Sequence, residues 1–186
     1  MFIETEGTPN PATLKFLPGR EVMRHGTADF ASRVSALRSP LATALFDLDG
    51  VARVFLGGDF VTVTKAEEVA WQALKPRILA TLMDHFVAGR PVIDAAPGEE
   101  EDEDVDPADA EIVDQIKELL DTRVRPAVAG DGGDIVFRGF RDGIVRLRMQ
   151  GACSGCPSSR ATLKHGVENM LRHFVPEVVA VEQVDY

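Results

Sequence analysis

The amino-acid sequence of 186 residues predicts a mixed α/β (α+β) protein with two small domains, each a small mixed sheet with helices. In both halves of the chain, alternating apolar segments flank Gly/Asp turns, and apolar residues recur at helical spacing. Between the halves lies an acidic stretch that contains three prolines. We therefore expect a first domain over 1–88, a flexible acidic linker over 89–108 and a second domain over 109–186.

The first domain is predicted to contain strands and three helices. Its clearest feature is a hairpin about Gly57-Gly58-Asp59. Strands are expected over 1–5, 13–17, 51–56 and 60–64, and short helices over 28–33 and 40–46. A longer helix is indicated by an apolar stripe, Ile78, Leu79, Leu82, Met83, Phe86 and Val87. Pro76 must lie in the first turn of that helix or kink it.

The linker carries most of the net charge of −10, because it holds eight acidic residues against Arg90. It has almost nothing to bury, and its like charges are expected to keep it extended. We interpret it as a solvated spacer, with an acidic binding tail as the alternative. Since the flanking domains are close to neutral, the acidic pI says little about what they bind.

The second domain is predicted to have the order α-β-β-α-β. Asp106 is a candidate cap and Pro107 a first residue for the first helix, which we expect Pro126 to end. A turn over 130–134 leads into a hairpin through Arg141-Asp142-Gly143. The strands are expected over 135–138, 144–149 and 178–181, and the last helix over 157–174. The glycine-rich turn lacks the Gly-Lys-Ser/Thr of a phosphate loop.

Several classes of function are disfavoured by composition. No apolar run is long enough to cross a membrane. The arginines of the second hairpin have no interleaved aromatic platform, so we expect no nucleic-acid partner. The first residues resemble neither a signal nor a transit peptide, and the two cysteines are no disulfide framework. The expected location is therefore cytoplasmic and bacterial-type.

The candidate functional residues are Cys153 and Cys156, the only cysteines of the chain. Gly151 and Gly155 allow the tight turn that would bring two thiols together, and Pro157 suits the start of a helix. A helix N-terminus favours thiolate over thiol. Three interpretations are open: a thiol–disulfide redox pair, half of a zinc site or a structural disulfide, and half of a shared iron–sulfur cluster.

The number of thiolates distinguishes these interpretations in part. A zinc site or an iron–sulfur cluster normally takes four protein ligands, and one chain offers two thiolates. Two chains offer four, so a bound cluster implies a homodimer with the metal on the two-fold axis. A redox enzyme of the thioredoxin type would place its cysteines after a strand of a parallel unit. Here the preceding strand belongs to an antiparallel hairpin.

Four segments of the second domain closely resemble the NifU-like C-terminal domain of the Nfu family of iron–sulfur scaffolds and carriers. They are Val124-Arg125-Pro126, Gly130-Asp131-Gly132-Gly133-Asp134, Gly151-Ala152-Cys153-Ser154-Gly155-Cys156-Pro157-Ser158-Ser159 and Thr162-Leu163-Lys164. The segment Thr8-Pro9-Asn10-Pro11-Ala12-Thr13-Leu14-Lys15-Phe16 resembles the N-terminal domain of the same family. The resemblance covers both domains and leaves out the linker.

The resemblance implies a carrier and not an enzyme. It implies that Cys153 and Cys156 ligate a [4Fe–4S] cluster that bridges two chains. It also implies transfer of this cluster to apo iron–sulfur acceptor proteins after loading by upstream assembly machinery. The alternatives are a C-x-x-C oxidoreductase and a zinc-bridged dimeric interaction module.

Overall fold

The computed structural model describes residues 1–94, 103–154 and 157–185, and the chain divides into two compact units, Met1–Gly98 and Glu99–Tyr186. Each unit is a sheet with helices, so the predicted mixed α/β class is confirmed. Within the described residues, no helix is both long and apolar enough to span a membrane.

The first unit is built on a five-stranded antiparallel sheet of order β1-β2-β5-β4-β3. Its strands are β1 (Glu4–Gly7), β2 (Thr13–Leu17), β3 (Ala28–Phe30), β4 (Val51–Leu56) and β5 (Val61–Lys65). Two helices, α1 (Pro40–Phe46) and α2 (Trp71–Val87), contribute to a core with one face of this sheet. The largest fully buried members of that core are Phe16, Phe30, Leu41, Leu45, Leu56, Leu74, Ile78 and Leu82.

Local signals placed most elements of the first unit correctly. The hairpin of β4 and β5 is confirmed, and Ser39 caps α1 by accepting a hydrogen bond from the Ala42 N–H. Pro76 lies inside α2, in its second turn, so the predicted place in the first turn is wrong and the predicted alternative of a kink is left. The helix predicted over 28–33 is wrong, because Ala28–Phe30 pairs with β4 as an edge strand and buries Phe30 completely.

The segment predicted as a linker is structured at both of its described ends. The Ser39 hydroxyl donates to the Val92 carbonyl at 2.5 Å, and the Asp94 N–H donates to the Arg38 carbonyl at 2.9 Å. Val92 packs against the first core. At the other end, Asp104–Val105 forms a strand of the second unit. The expectation of an extended spacer is therefore left only for 95–102, which lie outside the described residues.

The second unit has a four-stranded sheet of order β6-β7-β8-β9. Its strands are β6 (Asp104–Val105), β7 (Gly133–Arg141), β8 (Ile144–Gly151) and β9 (Ala180–Gln183). The predicted hairpin of β7 and β8 is confirmed, and Asp142 and Gly143, with φ of +52° and +78°, form its turn. The strands β6 and β9 pair in parallel with β7 and β8. Because β6 precedes the first helix, the predicted α-β-β-α-β order lacked one strand.

The helices of the second unit are α3 (Ala110–Leu119), α4 (Arg125–Gly130) and α5 (Pro157–Phe174). As predicted, Asp106 caps the helical turn that leads into α3, with Pro107 in first position. The prediction that Pro126 ends this helix is wrong. A π-helical turn over Leu120–Val124 joins α3 to α4, with the Arg125 N–H bonded to the Leu120 carbonyl. Since α4 begins anew after this wider turn, Pro126 occupies a position that needs no N–H donor.

Candidate functional site

Cys153 lies where β8 ends. Gly151 closes the strand with φ of +67°, and a 3₁₀ turn follows over Ala152–Ser154. The Ser154 hydroxyl donates to the Gly151 carbonyl at 2.8 Å, and the Ala152 N–H donates to the Gly132 carbonyl at 3.1 Å. These bonds fix the turn to both strands of the hairpin. Cys156 lies outside the described residues, so the convergence of the two thiols stays a prediction.

The side chain of Cys153 is buried within the second core, with a residue exposure of 7%. Gly133, the first residue of β7, makes this burial possible. A Cβ at position 133 would lie 2.7 Å from the Cys153 Sγ and 2.6 Å from the Gln150 carbonyl oxygen. Glycine is therefore required there by a close approach of backbone and thiol.

We expect Gly133→Ala to destabilise the protein by about 1–3 kcal/mol, since overpacking forces the cysteine turn to shift. Denaturant unfolding and iron content after reconstitution measure the two consequences. Gly166→Ala in α5 is the matched control, because a Cβ there meets nothing within 4 Å. It should instead stabilise by about 0.5–1 kcal/mol. Equal behaviour of the two variants would contradict the role assigned to Gly133.

The electrostatic surroundings of Cys153 oppose ionisation. Burial raises the pKa of its thiol from 9.0 to about 11, and the nearby carboxylates of Asp131 and Asp134 add to the increase. The expectation that the N-terminus of the following helix would favour the thiolate is therefore wrong for Cys153. The causes are the loss of water contact and the negative charges of Asp131 and Asp134 in the glycine-rich turn before β7.

The raised pKa predicts that the Cys153 thiol reacts slowly at neutral pH. In the Cys156→Ser chain, where Cys153 is the only thiol, alkylation by iodoacetamide should keep accelerating to about pH 11. Asp131→Asn should lower the pH at which the alkylation rate is half its maximum, because it removes one of the charges that raise the pKa of Cys153. A midpoint at or below pH 9 in the Cys156→Ser chain would contradict the burial of Cys153 beside two carboxylates.

A buried ion pair holds the turn that precedes β7. Asp134 is 3% exposed, and its two carboxylate oxygens accept hydrogen bonds from Arg125, each at 2.8 Å. The Asp134 carboxylate also accepts the Ile135 N–H at 2.8 Å. Hydrogen bonding to Asp134 raises the pKa of Arg125 above its usual value. The sequence showed both residues within distinctive segments but gave no sign that they pair.

Two polar residues of α5, the helix that follows the cysteine turn, do not join Cys153. Arg160 donates to the Gln183 side chain and to Asp185, so its charge is directed to the end of β9. His165 is exposed on α5. Among the described residues, no group of three or more His, Cys, Asp or Glu side chains is placed to hold a metal ion.

These features define a two-unit α/β protein whose second unit presents a cysteine turn between a hairpin and a helix. Residues 3–89 match the family described as "Scaffold protein Nfu/NifU N terminal", and residues 116–182 match the "NifU-like domain". The chain belongs to the Nfu/NifU family, as the sequence motifs predicted.

Curated relatives match nearly the whole chain. NifU-like protein 4, mitochondrial, of Arabidopsis thaliana is 56% identical over 98% of this chain and 66% of its own length. NifU-like protein 5, mitochondrial, of the same plant is 56% identical over 98% of this chain and 68% of its own length. The human mitochondrial NFU1 iron-sulfur cluster scaffold homolog is 53% identical over 99% of this chain and 72% of its own length. The chain thus spans about two thirds of the length of these relatives.

The names of these relatives contradict the predicted cytoplasmic, bacterial-type location, since all three are mitochondrial proteins. That prediction was wrong. It rested on the character of the first residues and on the absence of a disulfide framework.

Proposed function

We propose that this protein is an iron–sulfur cluster scaffold and carrier, not an enzyme. One observation carries the proposal: the NifU-like match over 116–182 spans the whole cysteine turn. It is supported by the human relative, which is named an iron-sulfur cluster scaffold homolog. The proposed ligands are Cys153 and Cys156.

The proposed cargo is a [4Fe–4S] cluster that bridges two chains. Such a cluster takes four thiolates, and each chain contributes two. A homodimer with the cluster on its two-fold axis satisfies both the ligand count and the symmetry. A cluster that bridges two chains lies between them, so the Cys153 side chain, which is 7% exposed in the single chain, would have to turn toward the partner to bind it. An incoming thiolate of an acceptor could then replace the ligands one at a time.

The surroundings of Cys153 argue against the alternative of thiol–disulfide exchange. Reactive redox cysteines have a lowered pKa, whereas burial and carboxylates raise that of Cys153 to about 11. A protonated thiol is a poor nucleophile and resists oxidation. Iron can displace the proton, so loading of the site should release protons.

Anaerobic reconstitution with iron and sulfide tests the proposal. We expect brown protein with equal iron and sulfide, one [4Fe–4S] cluster per two chains, and a shift from monomer to dimer in sedimentation. The cluster should then move to a metal-free bacterial-type ferredoxin. A loaded monomer would contradict the bridged site. Zinc in place of iron, or metal-free protein with dithiol oxidoreductase activity, would overturn the function.

We also propose that the two units act separately, with cluster binding confined to the second. The structure indicates at which residue a fragment of the second unit should begin. Asp104 in β6 forms ion pairs with Arg141 and Arg146, and the Lys117 ammonium pairs with Glu103 at 2.6 Å. A fragment of 109–186 lacks these contacts and exposes the edge of β7, whereas 103–186 keeps them.

We expect fragment 103–186 to fold and to bind the cluster, and fragment 109–186 to be about 1–3 kcal/mol less stable, through lost pairs and lost burial of Val105. Denaturant unfolding measures the difference. If the first unit docks acceptors, fragment 103–186 should transfer its cluster more slowly than the full chain at low ferredoxin concentration and equally fast at high concentration. Equal transfer rates at every ferredoxin concentration would show that the first unit does not dock this acceptor.

A further inference from the structure

The chain that follows α2 returns to the first unit over residues 90–94, which we name the exit segment. The Ser39 hydroxyl donates to the Val92 carbonyl at 2.5 Å, and the Asp94 N–H donates to the Arg38 carbonyl at 2.9 Å. Ser39 is fully buried and caps α1, so these bonds attach the exit segment at the start of that helix. The path of the chain out of α2 is therefore set by tertiary contacts as far as Asp94.

The buried side chain of His85 makes a further bond to the exit segment. His85 lies in the last turn of α2 and is 1% exposed. Its Nε2 atom lies 3.1 Å from the carbonyl oxygen of Pro91. Since a carbonyl oxygen only accepts, Nε2 is the nitrogen that carries a proton, and the neutral ring meets this need as its Nε2–H tautomer. The bond can thus be made without a charge in a buried place.

The surroundings of His85 oppose protonation of the ring. Burial lowers the pKa of His85 below its usual 6.5. Hydrogen bonding to the Pro91 carbonyl and the negative charge of Asp84 act in the opposite direction, and the positive charge of Arg90 adds to the decrease. Asp84 and Arg90 also pair with each other at 3.2 Å, so their opposite charges partly cancel at the ring. Loss of water contact is therefore the main cause.

The other elements around the exit segment bring few charges. Helix α1 contains no charged residue. Two cations lie on the segments that flank it and α2, and each is stacked on a ring. The guanidinium of Arg38 lies 5.3 Å from the centre of the Phe30 ring, and that of Arg20 lies 5.5 Å from the centre of the Phe86 ring. Neither cation favours a second positive charge on His85.

We infer that the exit segment is a pH-sensitive attachment, which neutral His85 holds to the first unit and which protonation of His85 shifts toward an open form. Opening gives the imidazolium the water contact that the closed form denies it. The closed form is therefore favoured above about pH 6.5 and loses free energy relative to the open form as the pH falls below that value. The inference goes beyond the proposed carrier function and does not depend on it.

Opening of the exit segment changes the length of chain that joins the two units. It releases the five residues 90–94, which add at most roughly 17 Å to that length. The reach of one unit from the other would thus increase in acid without any change within the sheets.

Amide exchange of the Asp94 N–H, resolved by NMR on the full-length, metal-free protein, tests the inference. Its protection factor should fall by at least about threefold between about pH 7.5 and about pH 5.5. The limit is about tenfold, because an exposed ring of ordinary pKa is protonated by that ratio at the lower pH. The Val63 N–H, in the central strand β5, reports on unfolding of the whole unit and should stay at least about tenfold more protected at both pH values.

Two variants assign the pH dependence to one histidine. In His85→Gln, the side-chain amide can still donate to the Pro91 carbonyl but has no proton to gain, so the pH dependence of Asp94 exchange should vanish. His25→Gln is the matched control, because His25 is exposed, and it should behave as the parent does. In the parent, the ¹⁵N shifts of the His85 ring should show the Nε2–H tautomer at about pH 7.5 and a titration below 6.5.

Four results would overturn the inference. These are equal protection of the Asp94 N–H at both pH values, a pH dependence that His85→Gln retains, a His85 ring that titrates above 6.5, and equal protection of the Asp94 and Val63 amides. The last would mean that the exit segment opens only when the whole unit unfolds. If His85→Gln does not fold, the exchange profile and the ring titration of the parent still decide between the outcomes.

Discussion

Replacing Cys153 or Cys156 by serine is expected to abolish stable cluster binding and cluster-dependent dimerisation. Either change removes two of the four thiolates of a bridged site, because both chains of the dimer carry it. Bound iron should fall to less than about a tenth of the parent value after reconstitution. Iron and sulfide analysis, together with sedimentation of the same samples, measures the result.

Ser154→Ala is the matched control for these variants. It alters the same turn and removes the hydrogen bond to the Gly151 carbonyl, but it leaves both thiols in place. We expect it to retain a cluster and to dimerise. If Cys156→Ser kept a full cluster, Cys156 would not be a ligand, and the count of four thiolates would have to be abandoned.

The second large effect is expected for Asp134→Ala, which should destabilise the protein by roughly 2–4 kcal/mol. Asp134 is buried, and its loss leaves Arg125 without its bidentate partner and the Ile135 N–H without an acceptor. We place the figure below the range for a fully buried pair, because the Arg125 side chain is 35% exposed and water can partly replace the carboxylate. Denaturant unfolding of the metal-free protein gives the value.

Asp121→Ala tests whether the burial of Asp134 is the cause of the large loss of stability. Asp121 pairs with the same arginine at 3.0 Å, but its side chain is 59% exposed. Its removal should therefore cost less than about 1 kcal/mol. Similar losses of unfolding free energy in the two variants would show that burial does not increase the contribution of the Asp134 carboxylate to stability. Asp134 follows Gly133, which lies against the Cys153 thiol. The Asp134→Ala chain should therefore also take up less iron.

Sequence motifs located the cysteine turn, but they did not predict the state of its thiol. The position of Cys153 after a strand and before a helix follows from local patterns, and the structure agrees. The raised pKa depends on burial and on Asp131 and Asp134, some 20 residues earlier in the chain. No local pattern reports that a glycine-rich turn carrying two carboxylates will fold against the cysteine.

Elements with strong local signals were predicted with nearly correct bounds. These are the hairpins of both units, whose turns demand particular residues, and α1 and α5, which begin at prolines. Elements that exist only through pairing were missed. Ala28–Phe30 is a strand because β4 offers it an edge and a buried place for Phe30, and Asp104–Val105 is a strand because Gly139 leaves room for its backbone.

The sequence by itself determined the α/β class, the family and the candidate ligands, because these depend on residue types at fixed spacing. Tertiary structure alone decided what surrounds those ligands. Gly133 allows the backbone to meet the Cys153 thiol, and Arg125, the first residue after the π-helical turn, pairs with the buried Asp134. Such contacts join residues that are distant or out of phase in the sequence, and their strength comes from the exclusion of water, which only the packed fold provides.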